Sequence, residues 1–343
     1  MKIGVICPSE IAFRRFMPAL CKIQNADFVG VGVYSESERF GNEIIHESKK
    51  QEIIKNEISK AQAFVDNYAG KIFYGYENLV RSKEIDAIYI PLPPALHYKW
   101  VKLALENGKH VLVEKPSTIS EKDTKELLKI AQSKNLVLHE NYMFVYHDQL
   151  KMIDRLVREG TIGDPRLYRV NFGFPFLGSN NFRYSKSLGG GALYDAAGYT
   201  LKFASKILGE TAKLKYAYMN YIEGSDVDIY GSGALVNDQG TTVQIAYGMD
   251  NEYKCELEIW GSEGCIQTGR ILTAPSGFVP KVNIIKNGEI ITKDLPKDDA
   301  FLKSIEHFIK CVDDDNCRIE TYKEIGKQSE LVEEFKKLSL GNL

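Results

Sequence analysis

From its amino terminus the chain alternates short apolar runs with longer stretches whose apolar residues recur every three or four positions. Lys2–Cys7, Phe28–Tyr34, Ala87–Pro91, Val111–Glu114 and Leu136–Glu140 are the runs. Between them lie Ile11–Lys22, a charged segment with Ile54, Ile58, Ala61, Val65 and Tyr68 on one face, Ala95–Asn107 and Glu121–Ser133. The two periodicities predict strands and helices in turn. Strands separated by helices of roughly 10–15 residues predict β-α-β units around a parallel sheet. The runs are apolar throughout, as strands covered by helices on both faces must be.

After about residue 150 the pattern changes. Leu167–Phe174 reads as a strand and Tyr194–Leu208 as a helix, followed by strands at Lys213–Ile222, Asp226–Val236, Thr241–Gly248, Tyr253–Gly261 and Val282–Ile285. Polar residues at Thr242, Gln244, and at Lys254, Glu256, Glu258 alternate with apolar ones, the signature of an antiparallel sheet with one wet face. Asn287-Gly288 is a hairpin turn signal. Helices at Ala300–Asp313 and Thr321–Leu338 close the chain. The fold expected is a doubly wound parallel α/β domain of Rossmann type followed by an α+β domain with a large open, mainly antiparallel sheet. The first covers residues 1–120, extending to about 145, and the second 146–343, with the last helices packing back on the first domain. The polar segment Ser35–Lys50 is long for a strand-to-helix connection.

The length of 343 residues suits two domains, and 44% hydrophobic with 26% charged residues gives each a core. A net charge of −2 excludes an electrostatic case for nucleic acid or a membrane surface, and no apolar run reaches the ~18 residues of a membrane span. Met1–Ile6 reads as a strand without the features of a signal peptide. Six scattered cysteines without a Cys-x-x-Cys pair fit free thiols in a reducing cytoplasm. The histidines show no ligand spacing in sequence, so no metal is expected.

Candidate chemistry gathers where predicted strands end. Cys7-Pro8-Ser9-Glu10-Ile11-Ala12 joins the first strand to a helix, where backbone amides can hold a pyrophosphate. Small residues stand where three glycines are usual, and the stretch also reads as an ordinary turn. Ser35 and Glu36 end the second strand; an acid there favours NAD over NADP, while Arg39 nearby offsets it. Pro91, Leu92 and Pro93 stiffen the turn after the next run, leaving His97 either lining the cofactor or idle in the first helical turn. Val111–Val113 ends in Glu114-Lys115-Pro116, an ionisable pair at the edge of a core strand, where Lys115 can serve as a fixed cation or a tuned acid. Gly189-Gly190-Gly191 precedes a helix carrying Asp195 and Tyr199 at i, i+4, hence on one face. A phenol is a proton donor whose pKa an ammonium lowers toward working pH. Arg183 and Tyr184 suit an anionic substrate or a plain surface loop, and His147 suits substrate binding or a buried structural position.

These stretches, with Ile11-Ala12-Phe13-Arg14-Arg15, Trp100, Glu140-Asn141-Tyr142-Met143-Phe144 and Gln149, resemble the glucose–fructose oxidoreductase, inositol dehydrogenase and MocA (Gfo/Idh/MocA) family over nearly the full length. Within it the chain is most similar to nucleotide-sugar 3-ketoreductases. The resemblance implies an NAD(P)-dependent oxidoreductase moving hydride between nicotinamide and a sugar carbon. Lys115 and Tyr199 would be catalytic, Tyr199 passing the proton and Lys115 assisting; Asp195, Arg183, Tyr184 and His147 would contact substrate. It also implies homodimers or homotetramers formed through the second sheet. The alternatives are a dehydrogenase of a free sugar, cyclitol or dihydrodiol, and a dinucleotide-binding sensor without turnover.

Overall fold

The structure is a computed structural model and describes residues 1–41 and 44–341. Residues 42 and 43, inside the 35–50 segment, and residues 342 and 343 lie outside the described residues. The chain divides into two compact units. The first holds Met1–Thr118, Lys122–Asn141 and Ser304–Lys323; the second holds Ile119–Glu121, Tyr142–Lys303 and Glu324–Leu343.

The first unit is built on six parallel strands, β1 (Lys2–Val5), β2 (Asp27–Val33), β3 (Lys71–Tyr74), β4 (Ala87–Ile90), β5 (His110–Val113) and β6 (Leu138–Glu140). Their spatial order is β3-β2-β1-β4-β5-β6, the doubly wound dinucleotide-binding order. All four residues of β4 and the last three of β5 are buried, the two-faced burial that the continuous apolar runs require. The order reverses between β1 and β4, so the turns leaving those strands flank the position where open α/β sheets take ligands. Strand β3 is not legible in the sequence. It is an edge strand bounded by glycines at Gly70 (φ 83°) and Gly75 (φ 92°), and none of its four residues is buried, so it lacks the unbroken apolar run that marks the equally short β4 and β5.

In the second unit eight strands form one sheet: β7 (Pro165–Gly173), β8 (Lys213–Asn220), β9 (Tyr230–Val236), β10 (Thr242–Gly248), β11 (Lys254–Gly261), β12 (Cys265–Gly269), β13 (Lys281–Lys286) and β14 (Glu289–Asp294). The order is β14-β13-β12-β11-β7-β10-β9-β8, antiparallel except where β7 meets β10. The inner face of β11, with Cys255, Leu257 and Ile259 buried, faces the core, whereas Lys254, Glu256 and Trp260 are outward and Glu258 is half-buried. Asn287 (φ 53°) and Gly288 (φ 82°) make the hairpin that joins β13 to β14. The sequence marks that turn but not β14, whose six residues are all exposed and carry no alternation of burial. The helix Gly198–Leu208 packs its apolar residues under β7 and β10, with Leu201, Phe203 and Ala204 fully buried.

Candidate active site

At the end of β1 the side chain of Ser9 caps a helix running over residues 10–20, its Oγ accepting from the Ala12 amide at 3.2 Å. The amides of Glu10 and Ile11 precede it in the first helical turn and, among the described residues, donate to no protein acceptor. Two open amides at the N-terminus of an eleven-residue helix at the switch edge fit a dinucleotide pyrophosphate. Pro8 has no N–H to give. The Cys7 thiol turns inward toward Glu57 and Tyr76, and burial pushes it up to about 12. It is inert there, and any phosphate contact at Cys7 is through the main chain. Burial also raises the Glu57 carboxyl, which accepts from the Tyr76 hydroxyl at 3.2 Å.

At the end of β2, Ser35 opens the short helix Glu36–Phe40 with a reciprocal cap: its Oγ accepts from the Glu38 amide, and the Glu38 carboxylate accepts from the Ser35 amide at 2.7 Å. Glu38 accepts further from the amides of Tyr76 and Glu77, which leaves it committed to the start of the helix Tyr76–Arg81. Glu36 is exposed, the Ser35 and Ser37 hydroxyls lie 3.1 Å apart, and the Arg39 guanidinium stands 6.0 Å from the Tyr34 ring centroid.

The turn after β5 is held from several directions. Glu114 Oε1 accepts from the Tyr89 hydroxyl at 2.6 Å and from Asn141 Nδ2 at 2.7 Å. Asn141 Oδ1 accepts from Ser304 Oγ at 2.8 Å, and Ser304 Oγ lies 3.0 Å from His139 Nε2. Tyr89 is stacked on Phe16 at 4.0 Å between centroids. Burial raises the Glu114 carboxyl, against the two hydrogen bonds and the Lys115 charge that pull it down. Lys115 follows, half-buried, and joins Pro116 through a cis peptide bond. One residue on, the Ser117 amide donates to Glu140 Oε1 at 2.8 Å. His97, fully buried, puts Nδ1 2.7 Å from the Pro116 carbonyl and Nε2 2.6 Å from the Leu92 carbonyl. The two carbonyls favour the charged ring, but burial is the larger influence and pulls the imidazole down to about 4. Its ring thereby ties the Pro91–Pro93 turn to the Lys115-Pro116 turn.

In the second unit the helix bearing Tyr199 begins with a π turn, Leu193–Ala197, and continues as Gly198–Leu208. The regular i, i+4 face read from the sequence is therefore interrupted between Asp195 and Tyr199; such wide turns recur at functional sites. Tyr199 is 9% exposed and sits among aromatic rings: Tyr142 at 5.3 Å, Phe172 at 5.2 Å and Phe144 at 5.9 Å between centroids. Gly198 is required by this packing, because a Cβ there would lie 2.2 Å from the Tyr142 hydroxyl. Asp195 pairs with Arg183, Nε to Oδ2 at 2.7 Å, and the Arg183 guanidinium also lies over the Phe182 ring. Tyr184 bridges main chain, its hydroxyl donating to the Met249 carbonyl at 2.7 Å and accepting from the Leu177 amide at 3.1 Å. His147 is buried and caps the helix Asp148–Arg158, its Nδ1 accepting from the Gln149 amide at 3.2 Å.

Asp228 is a residue the sequence did not single out. Its Oδ2 accepts from the Leu193 amide at 2.7 Å, and its carbonyl accepts from the Ala192 amide at 2.9 Å, which fixes the start of the Tyr199 helix. Gly191, at φ 122°, brings its Cα so near that a Cβ would stand 2.5 Å from Asp228 Oδ1. Burial pushes the Asp228 carboxyl up to about 7. Tyr89, Asn141, Glu140 and Ser304 likewise hold the Lys115 turn; Glu140 and Asn141 lie in a stretch that carries the family likeness, but nothing in the sequence shows their partners.

Residues 25–142 match the oxidoreductase family with an NAD-binding Rossmann fold, and residues 150–267 match the GFO/IDH/MocA C-terminal domain. The chain belongs to the GFO/IDH/MocA family. It is thus an NAD(P)-dependent oxidoreductase acting on CH–OH or C=O groups. Among similar family members, a dTDP-3,4-didehydro-2,6-dideoxy-alpha-D-glucose 3-reductase of Saccharopolyspora spinosa is 32% identical over 90% of this chain and 87% of its own length. The enzyme of the same name from Streptomyces violaceoruber is 34% identical over 91% of this chain and 85% of its own. A 3-ketoreductase from Actinomadura kijaniata, solved in complex with NADP and TDP-benzene, superimposes with a TM-score of 0.88 at 30% identity, covering 98% of this chain and 97% of that one.

Proposed function

We propose that this family member reduces the keto group of a nucleotide-linked deoxysugar, with Tyr199 as proton donor and Lys115 assisting. The likeness to the 3-reductases, at 30–34% identity over nine-tenths or more of the chain, carries the reading. A second observation supports the residue roles. The Actinomadura kijaniata ketoreductase has been solved with a lysine and a tyrosine each substituted, and those two stand the same number of positions apart as Lys115 and Tyr199.

Reduced nicotinamide, when bound, supplies the hydride; the rest is positioning and charge. The open amides of Glu10 and Ile11 would hold the pyrophosphate. Ser35, Glu36 and Arg39 would contact the adenosine ribose, and Pro91, Leu92, Pro93 and Glu114, with His97 bracing the turns behind them, would shape the cofactor edge. Tyr199 gives its phenolic proton to the oxygen that becomes the alcohol. Lys115 is the cation that favours the resulting phenolate. Arg183, braced by Asp195, offers donors for an anionic diphosphate, with Tyr184 and His147 keeping the surrounding loops in place. Exposed Tyr216, Tyr230, Trp260 and Ile290 on the second sheet suit association with another copy of the chain into a dimer or tetramer. Six thiols without a disulfide suit the reducing cytoplasm. Among the described residues no helix is long and apolar enough to cross a membrane.

The test is a substrate panel read by nicotinamide absorbance. The reading expects NADPH oxidation with a dTDP-linked 3-keto-deoxysugar and far slower turnover of free sugars. A relative at 26% identity is a D-xylose 1-dehydrogenase (NADP(+)) of Haloferax volcanii, so faster NADP reduction with free D-xylose would favour the free-sugar reading instead.

A further inference from the structure

His307 and Cys311 stand four residues apart on the helix Ala300–Asp313, and so share a face. The next helix, Asp315–Leu340, begins after Asp314 and brings Cys317 and Thr321 against that face. His307 Nε2 lies 3.5 Å from Cys311 Sγ and 3.7 Å from Cys317 Sγ, and all three ligand-type atoms lie within 4.8 Å of one another. A tetrahedral ion with Zn–S near 2.3 Å and Zn–N near 2.0–2.1 Å has N···S edges of about 3.5–3.6 Å. The two N···S separations are close to those tetrahedral edges, and the cluster lies wholly in the first unit.

We propose that His307, Cys311 and Cys317 bind a thiophilic divalent cation of the zinc class, which clips the two helices together. The sequence conceals this because the ligands follow a His-x3-Cys-x5-Cys spacing that only the turn at Asp314 closes. That turn is built: Asp314 Oδ1 accepts from the Cys317 amide at 3.0 Å, and Thr321 Oγ1 donates to the Cys317 carbonyl at 3.0 Å. Thr321 Oγ1, buried beside the cluster, also lies 3.3 Å from His307 Nε2 and 3.5 Å from Cys311 Sγ, where its hydroxyl could take the fourth position. Cys311 is fully buried, while His307 and Cys317 are half-buried and give the ion its entry. Binding exchanges one divalent cation for two thiol protons, which leave to solvent; no electrons move. Two thiolates and a neutral imidazole balance the cation, so the loaded site adds no net charge beside buried Arg318, whose Nη1 donates to the Cys311 carbonyl at 3.0 Å.

The full-length chain, reduced, stripped with a chelator and titrated with Co2+, tests this. The expected result is one equivalent bound, with thiolate-to-cobalt charge transfer in the near ultraviolet and tetrahedral bands in the visible, all bleached by Zn2+. Cys317→Ser and His307→Ala should each weaken binding at least about tenfold, whereas Cys265→Ser, outside the cluster, should not. Zn2+ should raise the melting temperature of the parent and not that of Cys317→Ser. Absence of the charge-transfer band, its survival in both variants, or a Cys311–Cys317 disulfide that persists under reductant would each overturn the proposal. Ketoreductase activity is not read, so the outcome is independent of the proposed function.

Discussion

The two residues proposed to carry the chemistry are held by opposite means. Lys115 follows a turn fixed by polar bonds: Tyr89 and Asn141 on Glu114, Glu140 on the Ser117 amide, and His97 on the Leu92 and Pro116 carbonyls. Tyr199 stands among the rings of Tyr142, Phe144 and Phe172, on a helix whose first turn is wide and whose start is pinned by Asp228. Hydrogen bonds fix direction, which a charge needs if it is to act at one place. Packed rings, edge-to-face for Tyr142 and Phe172 and tilted for Phe144, fix the position of the phenol. The polar network is also the more brittle of the two, since losing one partner strands a buried acceptor or donor, whereas a trimmed ring leaves a gap that neighbours partly refill.

The largest effect belongs to the phenol. Tyr199→Phe keeps the ring and its packing, so its fold and melting temperature should match the parent, while kcat for keto reduction falls about 10²–10⁴-fold. A drop in melting temperature comparable to a core truncation would instead make the hydroxyl structural. Next comes the polar side. Asn141→Ala removes one of the two side-chain donors to Glu114; about 1–3 kcal/mol of stability should go with it, and misplacement of the turn on the order of 1 Å should lower kcat up to about a hundredfold. If kcat holds while stability falls, the network serves the fold alone.

Asp228 gives a pH signature. Its carboxyl is raised by burial to about 7, so the native state keeps a proton that the unfolded chain releases near its ordinary value of 3.8. The stabilisation is therefore fully present below about pH 4 and is lost as pH rises toward 7, by a few kcal/mol at most. Asp228→Asn keeps an oxygen for the Leu193 amide and should flatten that slope, so that denaturant midpoints of variant and parent diverge between pH 4 and pH 7. Parallel curves would remove Asp228 from the account. The smallest effect is expected from Phe172→Leu, which loses one edge-to-face partner of Tyr199: about 1 kcal/mol by chemical denaturation and less than about tenfold in kcat.

The same contrast explains what was legible in the sequence. Strands β1, β2, β4 and β5 and the ends where Cys7–Ala12, Ser35, Pro91–Pro93 and Glu114-Lys115 lie could be read, because burial on two faces writes an unbroken apolar run and a charged pair at its end is conspicuous. The helix Ala300–Asp313 was read to the residue, since its amphipathic period is uninterrupted. Strands β3 and β14 could not, since both are edge strands without a buried residue. The partners of Lys115 and Tyr199 were hidden for another reason. Asn141 and Ser304 are 163 positions apart in sequence, and a hydrogen bond across that separation leaves no local pattern. Asp228 lies in a loop that reads as the start of strand β9, and the metal-type cluster at His307, Cys311 and Cys317 is invisible until two helices fold against each other.

The central claim is that the ammonium ending β5 takes part in the reduction. The direct measurement is kcat of Lys115→Ala with NADPH and a dTDP-linked 3-keto-deoxysugar, beside the melting temperatures of variant and parent. A fall of about 10²–10⁴-fold at unchanged melting temperature is the predicted result. A rate equal to the parent's would contradict it.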